Sequence, residues 1–202
     1  MAGLDEAGRG ALAGPIFAAA VILPLRRARL AGLLRDVEDS KVMTARARRR
    51  SAELIRRVAV DWSVGQASCA EIDRVGPLVG TRLAMTRALQ ALQTPPQHLL
   101  IDHLRLPEVD LEQTALPHGD ALVLSIAAAS VVAKVARDEA MLAFAHDFPV
   151  YGFARHKGYG TRAHLEALRR WGPCPIHRRS FEPVSVLVWP QTRLLFPDQP
   201  GS

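Results

Sequence analysis

The chain has 202 residues, 49% of them hydrophobic and 23% charged, with a formal net charge of +6. That length holds one sizeable core and leaves no room for two comfortable ones. The balance is globular, and the positive charge favours polyanionic partners, nucleic acid or an anionic surface. Two cysteines, Cys69 and Cys174, stand far apart with no CxxC pair, so neither a zinc ribbon nor a disulfide framework is indicated. Cys174-x-x-His177 offers half of a metal site, without a second half.

The N-terminus, Met1 to Glu6, carries acid where a secretory signal needs base. Gly3-Leu4-Asp5 reads as the end of a short strand running into a glycine loop, Gly8-Arg9-Gly10, which Pro15 closes. Ile16 to Leu23 is a continuous apolar run with β-branched members, expected as a buried strand. Residues 44 to 57 are expected as a helix capped by Thr44. Val58 to Ser68 alternates as a strand does. Glu71 to Leu92 has a long helical pattern that Thr94-Pro95-Pro96 stops. His98 to Asp102 is a short apolar strand ending in an acid. After a loop with Pro107 and Pro117 come Gly119-Asp120 and a second long helix, about 122 to 147. A further helix is expected over 162 to 171, and prolines recur from Pro183. Neither Ile16–Leu23 nor Ala121–Ala133 is long enough to span a bilayer. A soluble, cytoplasmic, monomeric protein without membrane contact is expected. The mixture of strands and helices gives an α/β class: one domain over 1–186 with a helical C-terminal portion, and a loosely ordered tail over 187–202.

Four acids stand out by position. Asp5 and Glu6 end the first strand, Asp102 ends a central strand, and Asp120 precedes a helix. Acids at the carboxyl edge of an α/β sheet fall where active sites form. Clustered carboxylates repel one another and call for a cation. Oxygen ligands without Cys or His suit Mg²⁺ or Mn²⁺, and two such ions about 4 Å apart can activate water and stabilise a leaving oxygen. The ordinary alternative is solvated turn acids or helix caps. Neighbouring strand residues also point to opposite faces. Asp5 and Glu6 therefore share a site only if the strand has ended, or if Glu6 lends its backbone carbonyl. Gly8 to Ala13 also fits G-x-G-x-x-A, a dinucleotide fingerprint, but the acids before it and Pro15 after it leave no phosphate site and no helix.

Gly3-Leu4-Asp5-Glu6-Ala7-Gly8-Arg9-Gly10 resembles the signature of the ribonuclease HII family. Asp39-Ser40-Lys41, Leu100-Ile101-Asp102, Gly119-Asp120, the run Ile126 to Asp138, Tyr151-Gly152-Phe153 with His156 to Thr161, and His177 to Phe181 resemble its later motifs, in family order. The resemblance spans residues 3 to about 184. It implies a ribonuclease H-like fold, a central mixed sheet flanked by helices with a helical C-terminal extension. It implies Asp5, Glu6, Asp102 and Asp120 as catalytic, metal-holding acids, with two divalent ions, Mg²⁺ or Mn²⁺. It implies hydrolysis of the RNA strand of RNA–DNA hybrids and nicking 5′ of single ribonucleotides in duplex DNA, leaving 5′-phosphate and 3′-hydroxyl ends. The resemblance also marks Gly8, Arg9 and Gly10 as readers of the 2′-hydroxyl and Tyr159 as a sugar-stacking residue. Ser40, Lys41, Arg179 and Ser180 complete the expected substrate contacts. Three positions depart from the pattern: Glu38 stands for Asn, His118 for Lys and Ala11 for Pro, and none removes an acid. An inert binding module would lack an acid, and a DNA strand transferase would be expected to carry further DNA-binding domains. Leu194-Leu195-Phe196 offers a faint sliding-clamp motif. For the other residues of these motifs the ordinary alternatives are an Arg137–Asp138 surface pair, Ser130 as helix packing alone, and Arg178 with Arg179 as surface charge.

Overall fold

The computed structural model describes residues 1–24, 30–34, 37 and 43–188. In chain order these form β1 (Ala2–Ala7), β2 (Ile16–Ile22), α1 (Leu30–Leu33), α2 (Ala45–Val58), β3 (Asp61–Ala67), α3 (Cys69–Gln90), β4 (His98–Asp102) and β5 (Glu112–Leu116). There follow α4 (Gly119–Leu122), α5 (Leu124–Asp147), a 3-10 turn at Pro149–Tyr151, α6 (Phe153–His156), α7 (Arg162–Trp171) and α8 (Val184–Val188). The sheet order is β3-β2-β1-β4-β5. β1 to β3 pair antiparallel, whereas β4 runs parallel to both β1 and β5. It is the mixed α/β sheet flanked by helices that the sequence led us to expect.

β2 carries no polar residue and is buried throughout, because helices cover both of its faces. Leu4, Ala18, Ala20 and Ile22 pack against Ile72, Ala84, Met85 and Ala88 of α3. On the opposite face Ala7, Ala19 and Val21 pack with Ala127 to Ala133 of α5 and with Ala52 and Ile55 of α2. Small residues let α5 approach β1 closely. A Cβ on Gly3 would stand 2.2 Å from the Ser125 carbonyl carbon. That approach brings Ser130 and Lys134 of α5 to the end of β1.

Several boundaries differ from the sequence reading. β1 runs on to Ala7, still in register with β2. β3 begins at Asp61, because Val58 closes α2. α3 begins at Cys69, where Ser68 and Glu71 cap each other reciprocally, and it kinks at Gly76 (φ 79°) ahead of Pro77. The second long helix begins at Leu124, after the separate short helix α4. β5 lies where a loop was expected; as an edge strand with half-exposed residues it has little apolar alternation. Gln113 ties it down, its amide bonding Leu106 N, Leu106 O and Val109 O. The tail expected from 187 onward lies outside the described residues, except for Leu187 and Val188, which end α8.

Candidate active site

A cleft of about 230 Å³ opens where β1 ends, lined by Asp5, Glu6, Ala7, Gly8, Arg9, Gly10, Asp102, Ser130, Lys134 and Tyr159. Sheet topology creates it. β1 pairs with β4 only from Ala2 to Leu4, while its pairing with β2 continues to Ala7. The last three residues of β1 therefore have an open edge where β4 stops at Asp102. Asp5 lies on the α5 face, where Ser130 bonds its carboxylate; Ser130 thus does more than pack. Glu6 belongs to the opposite face of the strand. Both still line the cleft, because the open edge exposes them together. The strand has not ended between them, and shared access comes from the missing neighbour strand.

Burial drives the Asp5 carboxyl up to about 8, with the charges of Glu6 and Asp102 adding to the rise. Ser130 and the Glu6 amide, 2.7 Å from Oδ1, oppose it. Burial also raises Glu6, and Asp102 adds to this, against the pull of Arg9 and His103. Asp102 is fixed by the Gly119 amide, which donates to its Oδ1 at 2.8 Å. Burial lowers the Lys134 ammonium, which forms an ion pair with Asp138. The structure thus gathers three carboxyl groups at one cleft, with Arg9 and Lys134 beside them.

Asp120 is buried at the start of α4 but lines the neighbouring cavity, with Val37 and Ala121 to Leu124. Among the described residues no three His, Cys, Asp or Glu stand close enough to grip a metal ion as placed. Ser40, Lys41, Glu38 and Leu194 to Phe196 lie outside the described residues. Arg179 and Ser180 are exposed and stand away from the cleft lining, their amides both donating to Asp73 at 2.9 Å.

The second wall is the loop from Gly8 to Gly14, and here the sequence reading missed the residues that matter. Arg178 is not surface charge: it is fully buried and donates to Gly8 O at 2.7 Å, Arg9 O at 2.8 Å and Gly14 O at 2.7 and 3.0 Å. Arg137 is also buried, and donates to Pro15 O, Ala13 O and Lys157 O. It does not pair with Asp138, which takes Arg48 at 3.2 Å and Lys134 instead. Gly8 sits at φ +91°, and a Cβ there would meet the Arg137 side chain at 1.8 Å, so only glycine fits. Tyr159 is 38% exposed, with its ring 5.2 Å from the Arg137 guanidinium carbon. Nothing in the local sequence separates Arg178 from Arg179. No periodicity marks Arg178, because its partners are backbone carbonyls more than 160 residues away.

The sequence model of the Ribonuclease HII family matches residues 2–184. A ribonuclease HII from Moorella thermoacetica is 53% identical over 183 residues, covering 90% of this chain and 86% of the relative. One from Nitrosococcus oceani is 50% identical over 184 residues, covering 91% and 89%. Among solved structures, the ribonuclease H2 from Pyrococcus horikoshii OT3 superposes with a TM-score of 0.75 at 25% identity, covering 92% of this chain and 95% of that one. No helix among the described residues is long and apolar enough to cross a membrane.

Proposed function

The chain belongs to the ribonuclease HII family and is an endoribonuclease of the ribonuclease H type, and from that premise we propose that it nicks 5′ of a single ribonucleotide embedded in duplex DNA. The observation that carries this reading is the cleft itself. One buried and two half-buried carboxyl groups form one wall, while a glycine loop and an exposed tyrosine form the other.

The acids suit a divalent cation chemically. All are hard oxygen donors, and the raised Asp5 carboxyl marks a place where negative charge lacks a counterion. Asp5, Glu6 and Asp102 would hold it, with Asp120 contributing from the adjoining cavity. Bound there, Mg²⁺ or Mn²⁺ would supply an activated water and stabilise charge on the phosphodiester oxygens. Asp5 would give up its proton on binding, and Ser130 would keep its carboxylate oriented. Lys134, at the cleft edge, would face the scissile phosphate.

The glycine loop reads the sugar. Arg178 holds the carbonyls of Gly8 and Arg9. In a trans peptide the following N–H points the opposite way. The amides of Arg9 and Gly10 are thereby aimed away from Arg178, free to meet a 2′-hydroxyl, which both donates and accepts. Tyr159 would pack on the sugar that follows, where a second 2′-hydroxyl would crowd its ring. The products would carry 5′-phosphate and 3′-hydroxyl ends.

The test is cleavage in Mg²⁺ of two substrates, a DNA duplex with one ribonucleotide and a long RNA–DNA hybrid. A nick 5′ of the lone ribonucleotide is expected. Tyr159→Ala should lose that activity more than it loses hybrid cleavage. No nick by the wild type would refute the specificity, and equal losses would remove Tyr159 from junction reading.

A further inference from the structure

Beneath Tyr159 runs a chain of buried imidazoles that the reaction does not use. His164 and His177 are 0% and 1% exposed, and their Nε2 atoms lie 3.0 Å apart. The direction of every bond in the chain follows from one end. The Cys174 amide donates to His177 Nδ1 at 2.9 Å. A backbone N–H only donates, so this nitrogen is bare and the His177 proton sits on Nε2. His177 then donates to His164 Nε2. The His164 proton is consequently on Nδ1, where it is donated to the Tyr159 carbonyl at 2.9 Å.

A third ring is fixed by the same reasoning. The Gly158 amide donates to His156 Nδ1 at 3.2 Å, so Nε2–H faces the Tyr151 carbonyl at 2.7 Å. His156 stacks on His164 with ring centroids 4.4 Å apart. All three rings are neutral, and adding a proton to either His164 or His177 would set two N–H groups facing each other. Burial keeps both rings well below the usual histidine range, at about 4.

The far end of this chain grips the other wall of the cleft. Ile176 O accepts from Gly14 N at 2.9 Å, Arg178 N donates to Leu12 O at 2.9 Å, and the Arg178 guanidinium holds Gly8 and Arg9. One short segment, residues 174–178, therefore reaches both recognition elements. It reaches the glycine loop through Arg178 and the tyrosine through His177 and His164.

We propose that His164 and His177 are positioning residues that set the Tyr159 ring in register with the Gly8–Gly10 loop, and so determine how strongly the enzyme prefers a ribonucleotide–DNA junction over a continuous hybrid. Neither imidazole touches substrate. The inference rests on the reading of Tyr159 given above.

The experiment compares kcat/KM on the two substrates for the wild type, Tyr159→Ala, His164→Ala and His164→Asn. It adds the ring ¹⁵N shifts of the wild-type histidines. Tyr159→Ala and His164→Ala should each lower the junction-to-hybrid ratio by about tenfold. His164→Asn keeps a donor facing the Tyr159 carbonyl and should keep the ratio within about threefold of wild type. The shifts should be pyridine-like at His177 Nδ1 and His164 Nε2. If Tyr159→Ala is selective but folded His164→Ala or His164→Asn gives a wild-type and a lost ratio respectively, the positioning role is overturned and Tyr159 stands. If Tyr159→Ala is not selective, the tyrosine reading falls and takes this inference with it. Should His164→Ala fail to fold, His164→Asn carries the functional readout. The opposite tautomers in the wild type would overturn the chain without any variant.

Discussion

On one wall of the cleft the buried Asp5 and the half-buried Glu6 and Asp102 crowd carboxyl groups of one sign together; on the other, Arg137 and Arg178 are buried charges wrapped in backbone carbonyls. Desolvation acts on both, in opposite directions. It lifts Asp5 to about 8 and lowers Arg178 to about 10. At neutral pH the arginine therefore stays charged, whereas most of the Asp5 population holds its proton. The arginine charge is spent within the protein, organising a loop. The carboxyl charge is withheld by burial. Buried charge at a site can thus be scaffolding or latent function, and the partners decide which.

The contrast is broken most directly by removing one charge from each wall. Asp5→Asn should reduce cleavage by on the order of a thousandfold or more, since an ion-holding carboxylate contributes several kcal/mol to the transition state. It should leave the metal-free protein at least as stable as the wild type, because it removes repulsion. Arg178→Ala should behave in reverse. It strands the carbonyls of Gly8, Arg9 and Gly14, at about 1–3 kcal/mol each, so a loss of at least about 3 kcal/mol in unfolding free energy is expected. Denaturation in EDTA and a cleavage assay, run on both variants, check the pair. An Arg178→Ala protein as stable as the wild type would show that the guanidinium is not scaffolding.

The two walls also differ in how well the sequence displays them. Asp5, Glu6 and Asp102 could be marked because strand ends carry local signals: an apolar run, an acid, a glycine. The α/β class, β2, α2 and α7 were legible for the same reason, since periodicity and caps are local. What makes Asp5 and Glu6 face one cleft is not local. It is the early end of the β1–β4 pairing, which depends on residues about a hundred positions apart. Arg178 and Arg137 were invisible as scaffolding because a side chain bonded to distant carbonyls has no pattern in its own neighbourhood. β5 was missed because an edge strand with half-exposed faces resembles a loop between prolines.

The carboxylate wall makes a prediction in pH. Asp5 ionises near 3.8 when unfolded and near 8 when folded. The folded state therefore binds the extra proton between those values, and stability conferred by the protonated form is lost as pH rises from about 4 towards 8. Metal-free wild type should lose stability over that window relative to Asp5→Asn, by on the order of a few kcal/mol. Urea midpoints in EDTA at pH 5 and pH 8, for both proteins, give the difference. Metal addition near pH 7 should release protons, read as a binding heat that changes with buffer ionisation enthalpy. A gap between the two proteins that stays constant across the window would mean that Asp5 ionises as an ordinary carboxylate.

The smallest effect sharpens the comparison most finely, because it concerns two adjacent arginines. Arg178 is fully buried, while Arg179 is exposed, and among the described residues its backbone amide alone is engaged, by Asp73. No contact of the Arg179 guanidinium is seen among the described residues, so Arg179→Ala should change unfolding free energy by less than about 0.5 kcal/mol. Its charge belongs to a +6 protein that acts on a polyanion. If the side chain meets a phosphate at the duplex flank, the substitution should weaken binding and lower the slope of log affinity against log salt by about one, with little change in turnover at saturation. Binding measured on an uncleavable all-DNA duplex, at several salt concentrations, isolates that contact from chemistry. A slope equal to that of the wild type would leave Arg179 as solvated surface and place the phosphate grip elsewhere, with Lys41 the next residue to test.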